Sequence, residues 1–418
     1  MNLRLSKFSL LVGALVSMAN VFAPVHAVTV VPVDKTAPIQ TVAGMPPVLD
    51  ARNLYSETRQ DQFSPVVKGD LERIYVPNLR GNSVSVIDPK TLKVVDKFKV
   101  GKAPQHIVPS WDLKTLWVAN NAERTNTGSL TPINPRTGKP GTAVPVDDPY
   151  NLYFTPDGQS AIVVAEARHR LDFRDPKTMV PQYAIDVPQC GGINHADFSI
   201  DGRYAIFTCE FQGSLAKVDL VGKKVVGYLK LTMPATRFKD TGKAFSPLDT
   251  EICTSKKGMP QDIRIAPDGK LFYVADMEAD GVHLVDGAAF KEVGFIATGV
   301  AAHGLYPSRD GKRLYVANRG SHAIHGQRKG PGSVAVIDFA SNKVVTHWPV
   351  TGGGSPDMGN VSNDGHWLWL AGRFDDVVYR FDTSTGHVDQ IAVGLEPHGL
   401  AVWPLPGRYS LGHTGNMR

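Results

Sequence analysis

Seven residues with side chains able to ligate or carry charge occupy equivalent places in a repeated pattern: His106, Asn151, His195, Asp262, His303, Asp357 and His398. Each opens an apolar run of strand length. If the runs are packed around one axis, the seven side chains converge there. His303 and His398 fall one position ahead of the others and precede Gly304 and Gly399, so their side chains are expected to point differently. Neutral imidazole is a donor to transition metals and to haem iron. His106, His195, His303 and His398 are therefore the candidate cofactor ligands, with Asp262 and Asp357 as candidate metal-binding carboxylates. Taken singly, any of these has a plainer role, because a polar residue at a strand start satisfies loop amides. Histidine is not a preferred turn residue, and the set is what points to a ligand.

Arginines add a second kind of chemistry. Arg80, Arg319 and Arg373 each follow the second strand of a repeat, and Arg319 and Arg373 are expected to reach an anionic cofactor group. The segment "NRGSHAIHGQRKGPG" at 318–332 adds His322, His325, Arg328 and Lys329, readable as an anion clamp or as a solvated loop. Cys190, Cys209 and Cys253 map near His195 with no metal-motif spacing. In an oxidising compartment a disulfide from Cys190 to Cys253 is the expectation, and a copper or zinc Cys-His site the alternative. No C-x-x-C-H is present, so a covalent c-type haem is not expected.

The elements that position these residues are repeats. "PQDIRIAPDGKLFYVAD" at 260–276 has relatives beginning at 104, 149, 193, 302 and 356. Two strand-length runs joined in most copies by Asp-Gly form a hairpin, with glycine supplying the positive φ of the turn. A second hairpin follows each, marked by Asp88, Asn134, Asp175, Asp219, Asp286, Asp338 and Asp382, at spacings of 46, 41, 44, 67, 52 and 44 residues. Four short antiparallel strands every forty-odd residues describe a β-propeller blade. The widest gap holds an insertion at about 231–258. The termini "VTVVPVDKTAPIQTV" and "PHGLAVWPLPGRYSLGH" read as the two halves of an eighth blade, paired to close the ring. The expectation is thus a single all-β propeller of eight blades rather than seven, with residues 63–67 as the inner strand of the first.

The stretch "LYVAN" after S-x-D-G-K at 308–318, with "IYVPN" at 74–78 and "LWVAN" at 116–120, closely resembles the YVTN repeat of bacterial propellers. Within that superfamily the chain is also similar to the haem-binding propellers of cytochrome d1 proteins. That resemblance implies a d1-type haem or another tetrapyrrole as cofactor, in a carrier, maturation or redox role. Other members imply a lactonase-like hydrolase, with Asp262 or Asp357 serving as base or metal ligand. A third reading is a scaffold that binds a periplasmic protein partner.

Residues 1–27 have the anatomy of a secretory signal: Arg4 and Lys7, an apolar core over 8–22, and small residues before a cleavage expected after Ala27. The propeller is then 28–418, exported to the periplasm, with no membrane span. The formal charge of +5 falls to +3 without the signal, too small to argue for nucleic acid.

Overall fold

The Asp-Gly pairs turn as the pattern requires. In the computed structural model Gly158, Gly202, Gly269, Gly311 and Gly365 have φ between 68° and 78°. The seven marker residues end their strands by accepting amide hydrogens through Oδ1: Asp88 from Lys90, Asn134 from Arg136, Asp175 from Lys177, Asp219 from Val221, Asp286 from Ala289, Asp338 from Ser341 and Asp382 from Ser384. Each is a local Asx bond that stops a strand and starts a turn. The structure describes residues 38–418 apart from 124, 126, 243–247 and 414. The expected signal peptide and the strand residues expected at its exit lie outside them.

Seven blades are formed among the described residues, not eight. Blade 1 consists of Arg73–Asn78, Ser83–Asp88 and Lys93–Lys99, with Ala401–Trp403 as its inner strand. Blades 2 to 7 begin at Pro104–Pro109, Pro149–Phe154, Ile193–Phe198, Pro260–Ile265, Ala302–Pro307 and Pro356–Val361, and each continues outward in sequence order. The expected eighth blade fails at both ends. Residues 63–67 are no inner strand: Pro65 carries no amide hydrogen for a ladder, and Pro65–Val67 is a short 3₁₀ turn capped by the Ser64 side chain. Arg73–Asn78 therefore takes the C-terminal strand instead, with Ile74 opposite Val402 and Tyr75 opposite Ala401. Among the described residues the only strands outside the seven blades form one small two-stranded hairpin. Closure by a strand from the other end of the chain leaves no free inner edge.

The strands nearest the axis are buried along their length, whereas outermost strands such as Lys93–Lys99 alternate or face water. Blade faces pack through aromatic and branched side chains, among them Trp369, Trp403, Tyr153 and Phe207. Between blades 4 and 5 a small hairpin pairs Thr236–Phe238 with Thr250–Ile252. No helix among the described residues is long and apolar enough to cross a membrane.

The hairpin-turn end of the channel is closed by both ends of the propeller. Residues 42–62 bond to turns of blades 4, 5 and 7: Val42 N to Asp201 O, Leu54 N to Pro267 O, and Asp61 N to Asn363 Oδ1. After Trp403 the chain re-enters the channel as a tight hairpin, with Ser410 bridged to Met417 and Gly412 to Tyr153. Phe154 N donates to Leu411 O and His413 N to Leu152 O, so the tail is stitched to the inner strand of blade 3.

The disulfide differs from the expected one. Cys190 pairs with Cys209, and Cys253 is free. The reason is register: Cys209 ends the second strand of blade 4 opposite Ile193, which brings its Cα to 4.8 Å from that of Cys190. Cys253 follows the inserted hairpin on a separate path.

Candidate functional site

The inner strands share an irregularity that determines where their first side chains point. Pairing of the first two strands skips residues just after the strand start: between Pro104 and His106, Ile193 and Ala196, Pro260 and Ile263, Ala302 and Gly304, and Pro356 and Gly359. Blade 3 skips Tyr150 in the same way. A bulge of one extra residue re-aims side chains and recurs beside functional sites. Here it produces two stacked rings, one residue from each blade in each. The upper ring is His398, Gln105, Tyr150, Asn194, Gln261, His303 and Asp357. The lower ring is Gly399, His106, Asn151, His195, Asp262, Gly304 and Met358. The expected single ring therefore divides. His303 and His398 do sit one position ahead, and Asp357 joins them.

The upper ring forms the floor of a cavity of about 110 Å³ at the channel mouth, lined by Gln105, Tyr150, Gln261 and His303. Its walls are the residues that leave each second strand. Glu166 and Glu210 stand in blades 3 and 4, and Arg319 and Arg373 in blades 6 and 7. Arg319 binds Asp357 Oδ1 through Nε at 3.2 Å and Nη2 at 2.9 Å and also contacts His303. Arg373 Nε reaches Glu396 at 3.4 Å. Burial opposes the charge on Asp357, but Arg319, His303 and His398 outweigh it and hold the carboxyl well below its usual range. His303 is pulled down to about 4 by burial and by the Arg319 charge.

The opposite wall has no such partners. Glu210 accepts from Asn194 Nδ2 at 2.8 Å, and Gln105 donates to Glu123 at 2.9 Å. Neither Glu210 nor Glu166 forms an ion pair with a cationic side chain among the described residues. Enclosure pushes both carboxyls up, and for Glu166 the neighbouring Glu210 adds like-charge repulsion. Tyr150, Phe211 and Ile324 supply the apolar surface, the last two 41% exposed.

In the lower ring His106 and His195 meet a residue from outside the repeats, His413 at the tip of the tail hairpin. The three rings lie 4.5–5.4 Å apart between centroids, and all three residues are fully buried. Asn151 Nδ2 lies 3.2 Å from His195 Nδ1 and 3.1 Å from His413 Nδ1. Both ring nitrogens of His106, and Nε2 of His195 and of His413, have no hydrogen-bond partner among the described residues. Burial holds all three imidazoles well below their usual pKa, hence neutral.

The two carboxylates expected to ligate metal are otherwise engaged. Asp262 binds Arg264 Nη1 at 2.9 Å and accepts the amides of Ile263 and Leu305. Asp357 faces Arg319 as described. In the long loop His322 binds Asp280 at 2.6 Å, Arg328 pairs with Asp376, and His325 and Lys329 are exposed. Arg80 pairs with Glu396 at the rim.

A tetrapyrrole does not fit the site as built. The four candidate histidines are at most 2% exposed. The cavity above them is about 110 Å³, against roughly 300–1,000 Å³ for pockets holding drug-sized ligands.

Glu166, Glu210 and His413 were not singled out from the sequence. The glutamates had a signal, since "VVAE" and "FTCE" place them at the same repeat position as Arg319 and Arg373. His413 had none, because it lies beyond the last repeat.

Comparison with known proteins agrees with this architecture. Residues 252–407 match the model of the YNCE-like beta-propeller family. No curated protein matches the sequence. A putative 6-phosphogluconolactonase from Bacteroides uniformis ATCC 8492 superposes with a TM-score of 0.58 at 15% identity, covering 79% of this chain and 99% of its own. A functionally unknown protein from Desulfotomaculum acetoxidans DSM 771 gives 0.57 at 14% identity, covering 79% and 99%. Dihydro-heme d1 dehydrogenase NirN, solved in complex with DHE, gives 0.54 at 13% identity, covering 87% and 79%. At these identities the likeness is one of fold. The shared architecture marks the chain as a β-propeller, and its residues 252–407 are similar to the YNCE-like propellers.

Proposed function

We propose that this chain is an exported binding propeller that takes a small organic amine in its channel mouth. The observation that carries the reading is the asymmetry of the mouth. Arg319 and Arg373 already have carboxylate partners, whereas Glu166 and Glu210 share the opposite wall with no ion-pair partner among the described residues. A ligand ammonium supplies the missing charge, relieves the repulsion between the two carboxyls and packs its carbons on Tyr150 and Phe211. The small cavity suits a ligand of a few heavy atoms. Export is supported by the buried Cys190–Cys209 bridge, which suits an oxidising compartment.

Calorimetric titration with ethanolamine, putrescine and acetate tests the reading. The amines are expected to bind and acetate not to. Glu166 and Glu210, raised when the site is empty, should release protons on amine uptake, making the heat depend on the buffer's ionisation enthalpy. Glu210→Gln should weaken amine binding at least about tenfold, the loss of one charge-assisted contact. Acetate binding equal to that of the amines would assign the site to the arginine wall and overturn the proposal.

A further inference from the structure

We propose that His106, His195 and His413 form a binding site for one divalent transition-metal ion of the zinc or copper class, inside the channel below the mouth. The inference does not depend on the amine reading, since it concerns other atoms and another ligand.

The geometry comes first. One ligating nitrogen from each histidine can be chosen so that all lie within 4.8 Å of one another. An ion can then be placed within about 2.8 Å of all three atoms, against 2.0–2.1 Å for a zinc–imidazole bond. Closing that gap takes under an ångström of side-chain movement. Three histidines with an open fourth position are also a recognised zinc donor set.

Four orphaned nitrogens in one place are the second observation. A buried polar atom without a partner is destabilising, and here four of them belong to three touching rings. Metal ligation satisfies one on each residue at once. Imidazole donors favour zinc, copper and nickel over magnesium or calcium. A carboxylate oxygen, Asp262 Oδ1, lies 3.4 Å from His413 Nε2.

Asn151 is the positioning residue. It touches Nδ1 of both His195 and His413, which leaves Nε2 of each for the ion. For Oδ1 to accept both Nδ1–H bonds the carboxamide must turn, giving up the 2.9 Å bond that Oδ1 accepts from Leu152 N, and in that orientation it fixes the ligating tautomer. The other cluster of possible donors, His303, Asp357 and His398, differs in kind. Arg319 occupies its centre of charge, contacting both His303 and Asp357, and a second cation there meets direct repulsion.

The test uses the untagged full chain, stripped with chelator and refolded with or without Zn²⁺ so that burial does not block entry. The expected result is one equivalent of Zn²⁺ retained after desalting. His106→Ala, His195→Gln and His413→Gln should each weaken uptake at least about tenfold and Asn151→Ala by about 10- to 100-fold, with the exposed-residue variant His387→Ala unchanged. Cu²⁺-loaded wild type provides a readout that needs no variant, since its electron paramagnetic resonance should show coupling to three nitrogens. Absence of stoichiometric Zn²⁺ after refolding, uptake by all three histidine variants equal to that of wild type, or a Cu²⁺ spectrum without imidazole coupling would each overturn the assignment.

Discussion

The last residues of the tail that delivers His413 converge on one buried carboxylate, and replacing it tests how the channel is closed. Asp197 is fully buried near the end of the blade 4 inner strand. It accepts the amides of Phe198 at 2.7 Å and Ile265 at 2.9 Å, Asn416 Nδ2 at 2.8 Å and Arg418 Nη2 at 2.6 Å. Arg418 is itself only 4% exposed, with a further contact to Asn416 Oδ1 at 2.6 Å. Asp197→Ala therefore strands a guanidinium in the interior, at a cost of about 3–5 kcal/mol. Asp197→Asn retains the acceptor oxygen and removes the charge. Its cost should be about 1.5–3 kcal/mol, the worth of a hydrogen bond to a charged group.

Equilibrium denaturation of both variants, of Arg418→Met and of the doubles measures this directly. The pair is in contact, so the double variant should fall short of the sum of the singles by about 1–3 kcal/mol. Carboxypeptidase sensitivity of the last residues should rise in parallel, because a tail released from Asp197 opens locally before the blades do. If Asp197→Ala costs under about 0.5 kcal/mol, or the two effects simply add, the tail is not held this way.

Two further outcomes follow from contacts away from the channel. Removing the bridge with Cys190→Ala and Cys209→Ala should cost about 3 kcal/mol in denaturant unfolding, as for a closed loop of this length, while thiol titration of the native wild type should find Cys253 alone. Burial disfavours charge on His283, yet the Asp276 carboxylate 3.5 Å away and the hydrogen bond to Glu292 at 2.9 Å outweigh that and raise its pKa to about 9. A raised histidine stabilises the fold fully below its unfolded pKa of about 6.5 and loses that contribution as pH climbs through the folded value. Melting temperature should therefore fall from pH 6.5 to 9 in wild type, and His283→Gln should flatten that slope; an equal slope in both would exclude His283 as its source.

The blades were legible because their punctuation is local. An Asp-Gly turn and an Asx-capped strand end depend on two or three neighbouring residues, and all seven markers stop strands where they stand. Blade number went wrong for a reason of the same kind. The run at 397–413 has the composition of a first hairpin, but whether its strand opens a new blade or completes an old one depends on an edge three hundred residues away. Pro65 and Ser64 held the relevant hint, since a proline-led turn cannot supply the inner strand that blade 1 lacks. The disulfide failed similarly: Cys190 meets Cys209 through cross-strand register, which spacing alone does not reveal.

The site shows how far repetition carries chemistry and where it stops. Seven strand starts, each bulged by one residue, place seven side chains in an upper ring and seven in a lower one. The lower ring is unequal: Gly304, Gly399 and Met358 bring no imidazole or carboxylate donor. Gly399 is also required by packing, because a Cβ there would lie 2.1 Å from His106 Nδ1, and the backbone is pinned by Gly399 N to Gln105 O and by Ile107 N to Gly399 O. The glycine thus makes room for the His106 ring, and the His413 ring enters from a segment with no counterpart in the blades. A donor set completed from outside the repeat cannot be found by aligning copies of the repeat. It becomes visible only once the chain's last residues are seen turning back into the channel.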